Sequence, residues 1–395
     1  MKIKIESLYI VFFVLILVVP FSTIFGVNFK LIWLLILFLS LIQFRDVSVS
    51  IFHKLIYFFS LLFFLCFYSV LMGNSELVFI LKQAFDILTF YIVFLIVTSY
   101  AIYRNKVNLM LKLITYLMAV AALVKIIVMF LAYKKNILMS DFIEEYSLNY
   151  LTLDMEYSFI QRLTSQLDAI IPVALLFLLQ NGSRNGFKLL DYVVFLFLIS
   201  SVIFSMSRYI WFATVFSLVI YILMSRKVIN FLHLSLFLFL SLLIYLTGIF
   251  SDIFEIRSDQ KTNSASDSIR YLQQQGIYEQ IYNNPFLGKG LGYYIPNIIR
   301  SDNTKYLYEL QIPALIMQIG FVGFLFYLLF LFYPLLLSLK NVSKFNAILF
   351  IMVFIVWLGN SFFNPYLFSS PGGIAFSMIL MLINSDLFKV HYEKN

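Results

Sequence analysis

The chain has 395 residues, of which 62% are hydrophobic, 19% aromatic and only 12% charged. A soluble domain is roughly 45–50% apolar and about 25% charged, so this composition excludes an ordinary water-soluble enzyme. The net charge of +8 would indicate a nucleic-acid partner in a soluble protein, but in a membrane protein its meaning depends on where the charges lie. The single cysteine, Cys66, excludes an intramolecular disulfide, and the three histidines lack metal-ligand spacing. We therefore predict neither a metal nor a cofactor.

Apolar runs long enough to cross a membrane recur along the whole chain. A hydrocarbon core about 30 Å thick requires about 20 apolar residues of helix. The runs predict a single all-α polytopic membrane domain over residues 1–395, with about twelve spans at 8–26, 31–44, 54–72, 77–101, 108–133, 164–180, 190–206, 208–224, 230–250, 311–338, 346–365 and 371–388.

The basic residues orient these spans. Strict alternation from a cytoplasmic N-terminus places fifteen of the 28 lysines and arginines, but only five of the 20 acidic residues, on the cytoplasmic side. Short loops rich in lysine and arginine face the cytoplasm, so both termini are predicted to be cytoplasmic. The first span lacks a cleavage site of small residues and is predicted to be a retained helix. The basic charge thus indicates membrane orientation and not a nucleic-acid partner.

Two predicted external loops, 134–163 and 251–310, are much longer than connectors. Connections in compact folds have a median of about 4–6 residues, and loops of this size often carry function. In the second loop, apolar residues at helical spacing from Ser268 to Tyr282 predict an amphipathic helix at the membrane surface. Asn283-Asn284-Pro285 is expected to end that helix, and the glycine-rich run 288–292 is predicted to be a flexible turn.

Arginines at the outer membrane boundary are candidates for binding an anion. Arg208, in SMSRYIW, lies between two spans that have almost no loop. It is either an interfacial anchor or a receptor for a polyanion. Arg162 has a similar depth, and a structural contact with Asp168 is an equally open interpretation.

Charged residues within the spans need partners. Lys82 and Asp86 are one helical turn apart in the fourth span, which predicts an ion pair. Lys125, in the fifth span, has no acidic residue within a turn and indicates either a cavity or a partner from another helix.

Glu309 stands at the start of the tenth span. Partial desolvation there suits a carboxylate to accept a proton, although a solvated acid at a helix N-terminus is the alternative. Gly320 and Gly323 follow as GxxG, which predicts close approach of a neighbouring helix.

Together these features resemble the bacterial O-antigen ligases and Wzy-type oligosaccharide repeat-unit polymerases. The resemblance covers the C-terminal half of the chain, and the N-terminal half agrees only in topology. In the ligase branch the pattern at Glu309 begins with histidine, so the glutamate favours the polymerase branch. Four stretches carry the resemblance: SxSR at Ser205–Arg208, the segment led by Arg270, NPxxGxGxGYY from Asn284 to Tyr294, and ExxxxxxxxxxGxxG from Glu309 to Gly323.

The resemblance implies a GT-C-like, metal-independent glycosyltransferase at the outer face of the bacterial cytoplasmic (inner) membrane. Its substrate would be an undecaprenyl-pyrophosphate-linked oligosaccharide, joined into O-antigen, capsule or exopolysaccharide. Arg208 and Arg270 occupy the family's arginine positions and would neutralise the pyrophosphate, and Glu309 would accept a proton from the acceptor hydroxyl. Weaker candidates for substrate binding are Arg162, Lys125, Lys82, Tyr293 and Tyr294. Membrane lipids, a chain-length regulator and a flippase are the implied partners.

Three other functions stay open, of which a membrane acyltransferase or other glycosyltransferase would more naturally present a His-Asp or Asp-rich motif. A ligase would use the lipopolysaccharide core as acceptor in place of a second repeat unit. A lipid-linked oligosaccharide flippase or another transporter would suit twelve helices with both termini inside. Transporters tend to have internal repeats and interrupted helices at the bilayer midplane, and neither is visible in the sequence.

Overall fold

The computed structural model describes residues 5–21, 28–41, 45–152, 162–225, 260–299 and 301–388. Within these ranges nearly all regular structure is helical, and the only sheet is an antiparallel pair of two-residue strands, β1 (Leu151–Thr152) and β2 (Leu163–Thr164). The predicted span 230–250 lies outside the described residues. The helices of the described ranges are α1 (Ile5–Phe13), α2 (Phe29–Leu41), α3 (Arg45–Met72), α4 (Leu77–Tyr103), α5 (Val107–Lys135), α6 (Met139–Glu145), α7 (Ile171–Asn185), α8 (Leu189–Ser205), α9 (Arg208–Ser225), α10 (Gln260–Asn283), α11 (Gln311–Leu339), α12 (Lys344–Gly359) and α13 (Ser370–Ile383).

Every predicted span that falls in the described ranges overlaps a helix. Among the described residues, six helical stretches are long and apolar enough to cross a membrane, whereas α2, α8, α9, α13 and the stretch that contains α1 are apolar but shorter. This largely helical, apolar architecture is the one expected of a membrane protein. The number of spans stays a prediction. The six long stretches are Ile51–Met72, Leu77–Tyr103, Val107–Lys135, Gln166–Asn185, Gln311–Leu339 and Lys344–Phe362.

The sixth predicted span starts later than its hydropathy suggests. A 3-10 helix, Gln166–Ile170, precedes α7, and Pro172 lies in the first turn of α7, where its missing N–H leaves no hydrogen bond unmade. The backbone N–H of Ser165 donates to Asp168 Oδ2 at 2.9 Å. This capping contact stabilises the start of the 3-10 helix, so Thr164 and Ser165 lie outside the helical stretch.

The chain divides into two compact units, and the single domain that the sequence suggests stays a prediction. In the first, α5 packs on α7 and α8, and α7 packs on α9. In the second, α4 packs on α3 and most extensively on α13. The first unit comprises Met1–Ser40, Asn105–Asp259 and Ser385–Phe388, and the second comprises Leu41–Arg104, Gln260–Asn384 and Lys389–Asn395.

A glycine brings α13 and α4 together in the second unit. A Cβ at Gly373 would lie only 2.7 Å from the carbonyl oxygen of Phe90, so a larger residue does not fit. Aromatic rings fill the space around this contact, with Trp357 and Phe376 stacked at 5.5 Å between ring centroids. The core of this unit therefore lies around the middle of α4.

The helix α11 is interrupted at Gly320, which has φ 67° and ψ 176°. No interruption of a helix was visible in the sequence. A Cβ at Gly320 would overlap the carbonyl group of Phe286, which lies in a loop. The GxxG spacing had predicted close approach of a neighbouring helix, and at Gly320 that prediction is wrong. Before the break, α11 is buried except at half-buried Ile316, and Phe321 is the first strongly exposed residue, at 51%.

The loop after α10 fills this break with hydrogen bonds. Lys289 and Gly290 donate their backbone N–H groups to Met317 O and Gln318 O, at 2.9 and 2.7 Å. On the other side of the break, Phe321 N–H donates to Pro285 O at 2.8 Å, and Val322 N–H donates to Phe286 O at 3.1 Å. The loop thus satisfies backbone groups that an interrupted helix leaves without intrahelical partners.

Candidate functional site

The second unit brings together two of the predicted catalytic residues, Arg270 and Glu309. Arg270 lies on α10, and Glu309 lies in the segment just before α11. The Nε–H of Arg270 donates to Glu309 Oε2 at 2.5 Å, and the two side chains are 25% and 13% exposed. A charge-assisted hydrogen bond of this kind is shorter and stronger than a neutral one.

The packing of α10 explains why these residues meet. The predicted helix 268–282 lies within α10, which ends at Asn283 as predicted. Its inward-facing Ile277 is fully buried and forms an apolar cluster with Tyr308, Ala314 and Met317. Tyr308 also accepts a hydrogen bond from Ile295 N–H at 2.7 Å, and burial raises the pKa of Tyr308 to about 12, so its hydroxyl stays neutral. This cluster holds the Glu309 segment against α10.

Two buried glutamines flank the ion pair and were missed in the sequence. Gln273, one turn after Arg270, is fully buried, and neither of its amide atoms has a hydrogen-bond partner in the described ranges. The Nε2 atom of Gln311, two residues after Glu309, also has no hydrogen-bond partner in the described ranges. Each buried donor left without a partner costs about 1–3 kcal/mol, so these positions are unfavourable unless something binds there. Their only signal in the sequence is that they are uncharged polar residues beside the candidate site.

The glycine-rich run forms bends and turns as predicted, but hydrogen bonds hold it against neighbouring helices, which does not fit the predicted flexibility. Leu291 N–H donates to Ser69 Oγ and Gly292 N–H to Gln83 Oε1, both at 2.6 Å. Gly292 has φ 75°, and a Cβ there would lie 2.5 Å from the backbone nitrogen of Ile80. The glycines allow the loop to lie directly on α3 and α4.

Tyr293 and Tyr294 hold this loop in place. The Tyr293 hydroxyl donates to Gln280 Oε1 at 3.3 Å, and the Tyr294 hydroxyl donates to Glu76 Oε1 at 3.2 Å. The ammonium of Lys305 lies 5.2 Å from the centre of the Tyr294 ring. These contacts give both tyrosines a structural role, and sugar stacking by them has no support in this geometry.

The predicted ion pair between Lys82 and Asp86 does not form. The exposed Lys82 donates its Nζ to Asn303 O at 3.0 Å, and Tyr306 donates its hydroxyl to Asp86 Oδ2 at 2.7 Å. The prediction failed because both partners come from the loop before Glu309. That loop is more than 200 residues away in the chain, so the spacing of Lys82 and Asp86 does not reveal it. Burial and the charge of Asp86 raise the pKa of Tyr306 well above its usual range, which keeps the hydroxyl a donor.

In the first unit, Arg208 is the exposed first residue of α9. The turn before it is tight because the buried Met206 adopts a left-handed conformation with φ 46°. The helix dipole is unfavourable for a cation at a helix N-terminus. The dipole by itself therefore does not favour Arg208 at this position of α9.

Lys125 finds its partner on another element of the first unit, which was one of the two options left open. Its Nζ lies 3.0 and 3.1 Å from the carboxylate oxygens of Asp168 and 3.2 Å from Ser201 Oγ. Lys125 and Asp168 are each 2% exposed. The alternative contact between Arg162 and Asp168 is wrong, because the carboxylate is taken by Lys125, Ser201 and Ser165. Lys125 is thus structural, and its predicted substrate role has no geometric support.

No known protein family matches the sequence, and no curated protein shows significant similarity to it. Among the residues that the structure describes, no three histidine, cysteine, aspartate or glutamate side chains gather as a metal site. A function for the chain therefore has to be argued from its own residues, above all from the contact between Arg270 and Glu309.

Proposed function

We propose that the protein polymerises undecaprenyl-pyrophosphate-linked oligosaccharide repeat units into a surface polysaccharide at the outer face of the bacterial cytoplasmic membrane. The observation that carries the proposal is the contact of Arg270 with Glu309. It pairs a proton acceptor with a cation beside long apolar helices, which suits a membrane enzyme that acts on a lipid pyrophosphate. The resemblance to repeat-unit polymerases supports the choice of substrate.

The proposed reaction is a displacement at an anomeric carbon. A hydroxyl of the acceptor glycan forms a bond to the reducing-end anomeric carbon of the donor, and the bond from that carbon to the pyrophosphate oxygen breaks. The undecaprenyl pyrophosphate leaves with the electron pair, and the hydroxyl proton passes to Glu309. Arg270 orients Glu309 and offsets the negative charge that develops on the leaving group. Arg208 is a second cation in this proposal, on the resemblance alone.

Supplying one defined lipid-linked repeat unit to the purified protein tests the proposal. We expect a ladder of products from the wild-type protein and none from Glu309→Gln or Arg270→Ala. Glu279→Gln, an exposed acid on the same helix as Arg270, is the matched control and should keep the ladder. Undiminished chain extension by Glu309→Gln would exclude that residue as the proton acceptor.

A ligase is a second candidate, and the same assay separates it from a polymerase. A ligase would form no ladder from repeat units alone and would need a lipopolysaccharide-core acceptor. Glu309, at the position where the ligase pattern has histidine, favours the polymerase.

A flippase or another transporter is favoured by one observation, the break in α11. Transporters use the unpaired backbone groups of interrupted helices to bind ions and substrates. Here Met317 O, Gln318 O and the N–H groups of Phe321 and Val322 are all bonded to the loop after α10. These groups are not free for a ligand. The break in α11 is therefore only weak support for a transporter. Movement of labelled lipid-linked glycan across proteoliposomes without product formation would support the transporter.

A further inference from the structure

A second polar site lies in the second unit, in a cleft that none of our catalytic candidates lines. Its walls come from α4, from the segment before Glu309 and from the first turns of α11. The polar residues that matter are Asp86, Tyr306 and Gln311, and the aromatic rings of Tyr308 and Phe368 complete the wall. The free space at its centre is about that of one water molecule. The cleft can therefore admit one small polar group.

Two glutamines of this cleft have partners for their side-chain amides, whereas the third lacks one for its Nε2 in the described part of the chain. Gln83 Nε2 donates to Gln318 Oε1 at 2.5 Å, and Gln318 Nε2 donates to Tyr293 O at 3.0 Å. Gln311 is 4% exposed, and its Oε1 accepts from Leu367 N–H at 2.8 Å, which fixes the orientation of the amide. Its Nε2 is left without a partner in the described part of the chain. Gln311 thus contributes a buried donor with nothing to bind.

Asp86 contributes the complementary acceptor. Its Oδ2 accepts from Tyr306, and a carboxylate has about four acceptor positions, so capacity for another donor remains. A cation in the cleft would meet the amide hydrogens of Gln311, and an anion would meet the carboxylate of Asp86. A neutral hydroxyl group both accepts and donates, and it suits both residues.

We propose that this cleft binds one hydroxyl group of a neutral glycan, which on the proposed function is a sugar of the lipid-linked substrate. The hydroxyl accepts from Gln311 Nε2 and donates to Asp86, while the sugar ring stays at the mouth of the cleft. Buried polar groups that pair with a substrate hydroxyl reject analogues that lack it. The cleft therefore selects for a hydroxyl at one position of the sugar.

Binding of lipid-free oligosaccharides to the purified protein tests this site without requiring polymerisation. The probe is an array of bacterial surface oligosaccharides, with affinities of bound members measured in solution. Gln311→Glu keeps the acceptor for Leu367 N–H but removes the donor, and Asp86→Asn removes the charge while keeping the shape. Both should weaken binding about tenfold or more. Gln180→Met, at a buried glutamine of α7 in the other unit, is the control and should leave binding unchanged.

The possible results separate this proposal from the proposed function. Unchanged binding in Gln311→Glu and Asp86→Asn, with unchanged thermal midpoints, would mean that the cleft holds an ordered water only and would overturn the proposal. So would a wild-type protein that binds no oligosaccharide at millimolar concentration. Selective loss of binding in the two variants supports the cleft even if no ladder forms, and in that case the polymerase alone is removed. If either variant unfolds, Tyr306→Phe is the second test, because it removes the hydroxyl that donates to Asp86 Oδ2. This variant must keep oligosaccharide binding, and loss of binding in it would overturn the proposal.

Discussion

The Nε atom of Arg270 lies 2.5 Å from Oε2 of Glu309, although 39 residues separate them in the chain. Because both side chains are largely shielded from water, removal of either one leaves a partly buried charge behind. A loss of activity in one variant alone would therefore combine a chemical effect with a structural one. Variants of the two residues have to be interpreted together.

A double-mutant cycle measures how strongly this pair is coupled. We expect Arg270→Gln and Glu309→Gln each to lower the free energy of unfolding, and the double variant to lose less than the sum by about 1–2 kcal/mol. The measurement is denaturant unfolding of the purified protein in detergent. Strictly additive losses would contradict a direct energetic contact.

The buried pair of Lys125 and Asp168 should matter more for stability than any exposed pair. We expect Lys125→Met or Asp168→Asn alone to cost about 3–5 kcal/mol, because each leaves an unpaired polar group in the interior. The double variant Lys125→Met/Asp168→Leu should regain part of the lost free energy of unfolding. Glu145→Gln, which breaks an exposed pair with Lys135 at 3.5 Å, is the control and should change the unfolding curve little. Equal effects at the two pairs would contradict the burial of Lys125.

Two glycines with similar φ angles differ in the space around them. Gly320 has φ 67° and Gly73 has φ 63°, but a Cβ would overlap Phe286 only at Gly320, whereas nothing lies within 4 Å at Gly73. We expect Gly73→Ala to cost about 1–2 kcal/mol for the left-handed backbone. Gly320→Ala should cost clearly more and displace the loop after α10. Similar thermal midpoints for the two variants would show that the loop does not pack into the break.

The burial pattern of α11 predicts where its membrane segment begins. The part after the break, from Phe321 to Leu339, is about 28 Å long, which nearly matches the hydrocarbon core. On this basis Leu336 lies nearer the membrane centre than Phe321, whereas a span that used all of α11 would reverse the order. Both side chains are exposed, at 54% and 51%. We therefore expect Leu336→Lys to reduce membrane insertion more than Phe321→Lys.

Carbonate-resistant protein in the membrane fraction measures that insertion. A lysine at a helix centre costs about 2.5–3.5 kcal/mol, and the cost falls toward the membrane boundary. Leu336→Phe and Phe321→Leu keep the apolar character and serve as controls. The opposite order of the two lysine variants would place the whole of α11 in the membrane.

The sequence predicted the apolar helices well because hydropathy over about 20 residues depends little on tertiary contacts. Predictions of side-chain partners from the sequence failed where a segment distant in the chain replaces the local partner. Lys82 and Asp86 have suitable helical spacing, but Asn303 and Tyr306 bind them from the loop before Glu309. For Lys125 the sequence offered a partner on another helix as one option but did not identify it, because residue spacing does not show which element packs against a buried charge.

The break in α11 was also invisible in the sequence. Gly320 was noted only as part of GxxG within the largely apolar run 311–339, because hydropathy carries no information on backbone angles. The nearness of Arg270 and Glu309 was implied only by the family resemblance. The orphaned amides of Gln273 and Gln311 depend on contacts that only the folded chain defines.

The four backbone hydrogen bonds between α11 and the loop after α10 restrict how this part of the protein can move. Withdrawing the loop would break all four bonds, and each polar group of α11 that stays shielded from water would then cost about 1–3 kcal/mol. Residues 285–290 and both halves of α11 should therefore move as one body on the timescale of substrate turnover. Any opening that admits a substrate to Glu309 must come from neighbouring elements, and hydrogen exchange at Lys289, Gly290, Phe321 and Val322 should be slow and uniform.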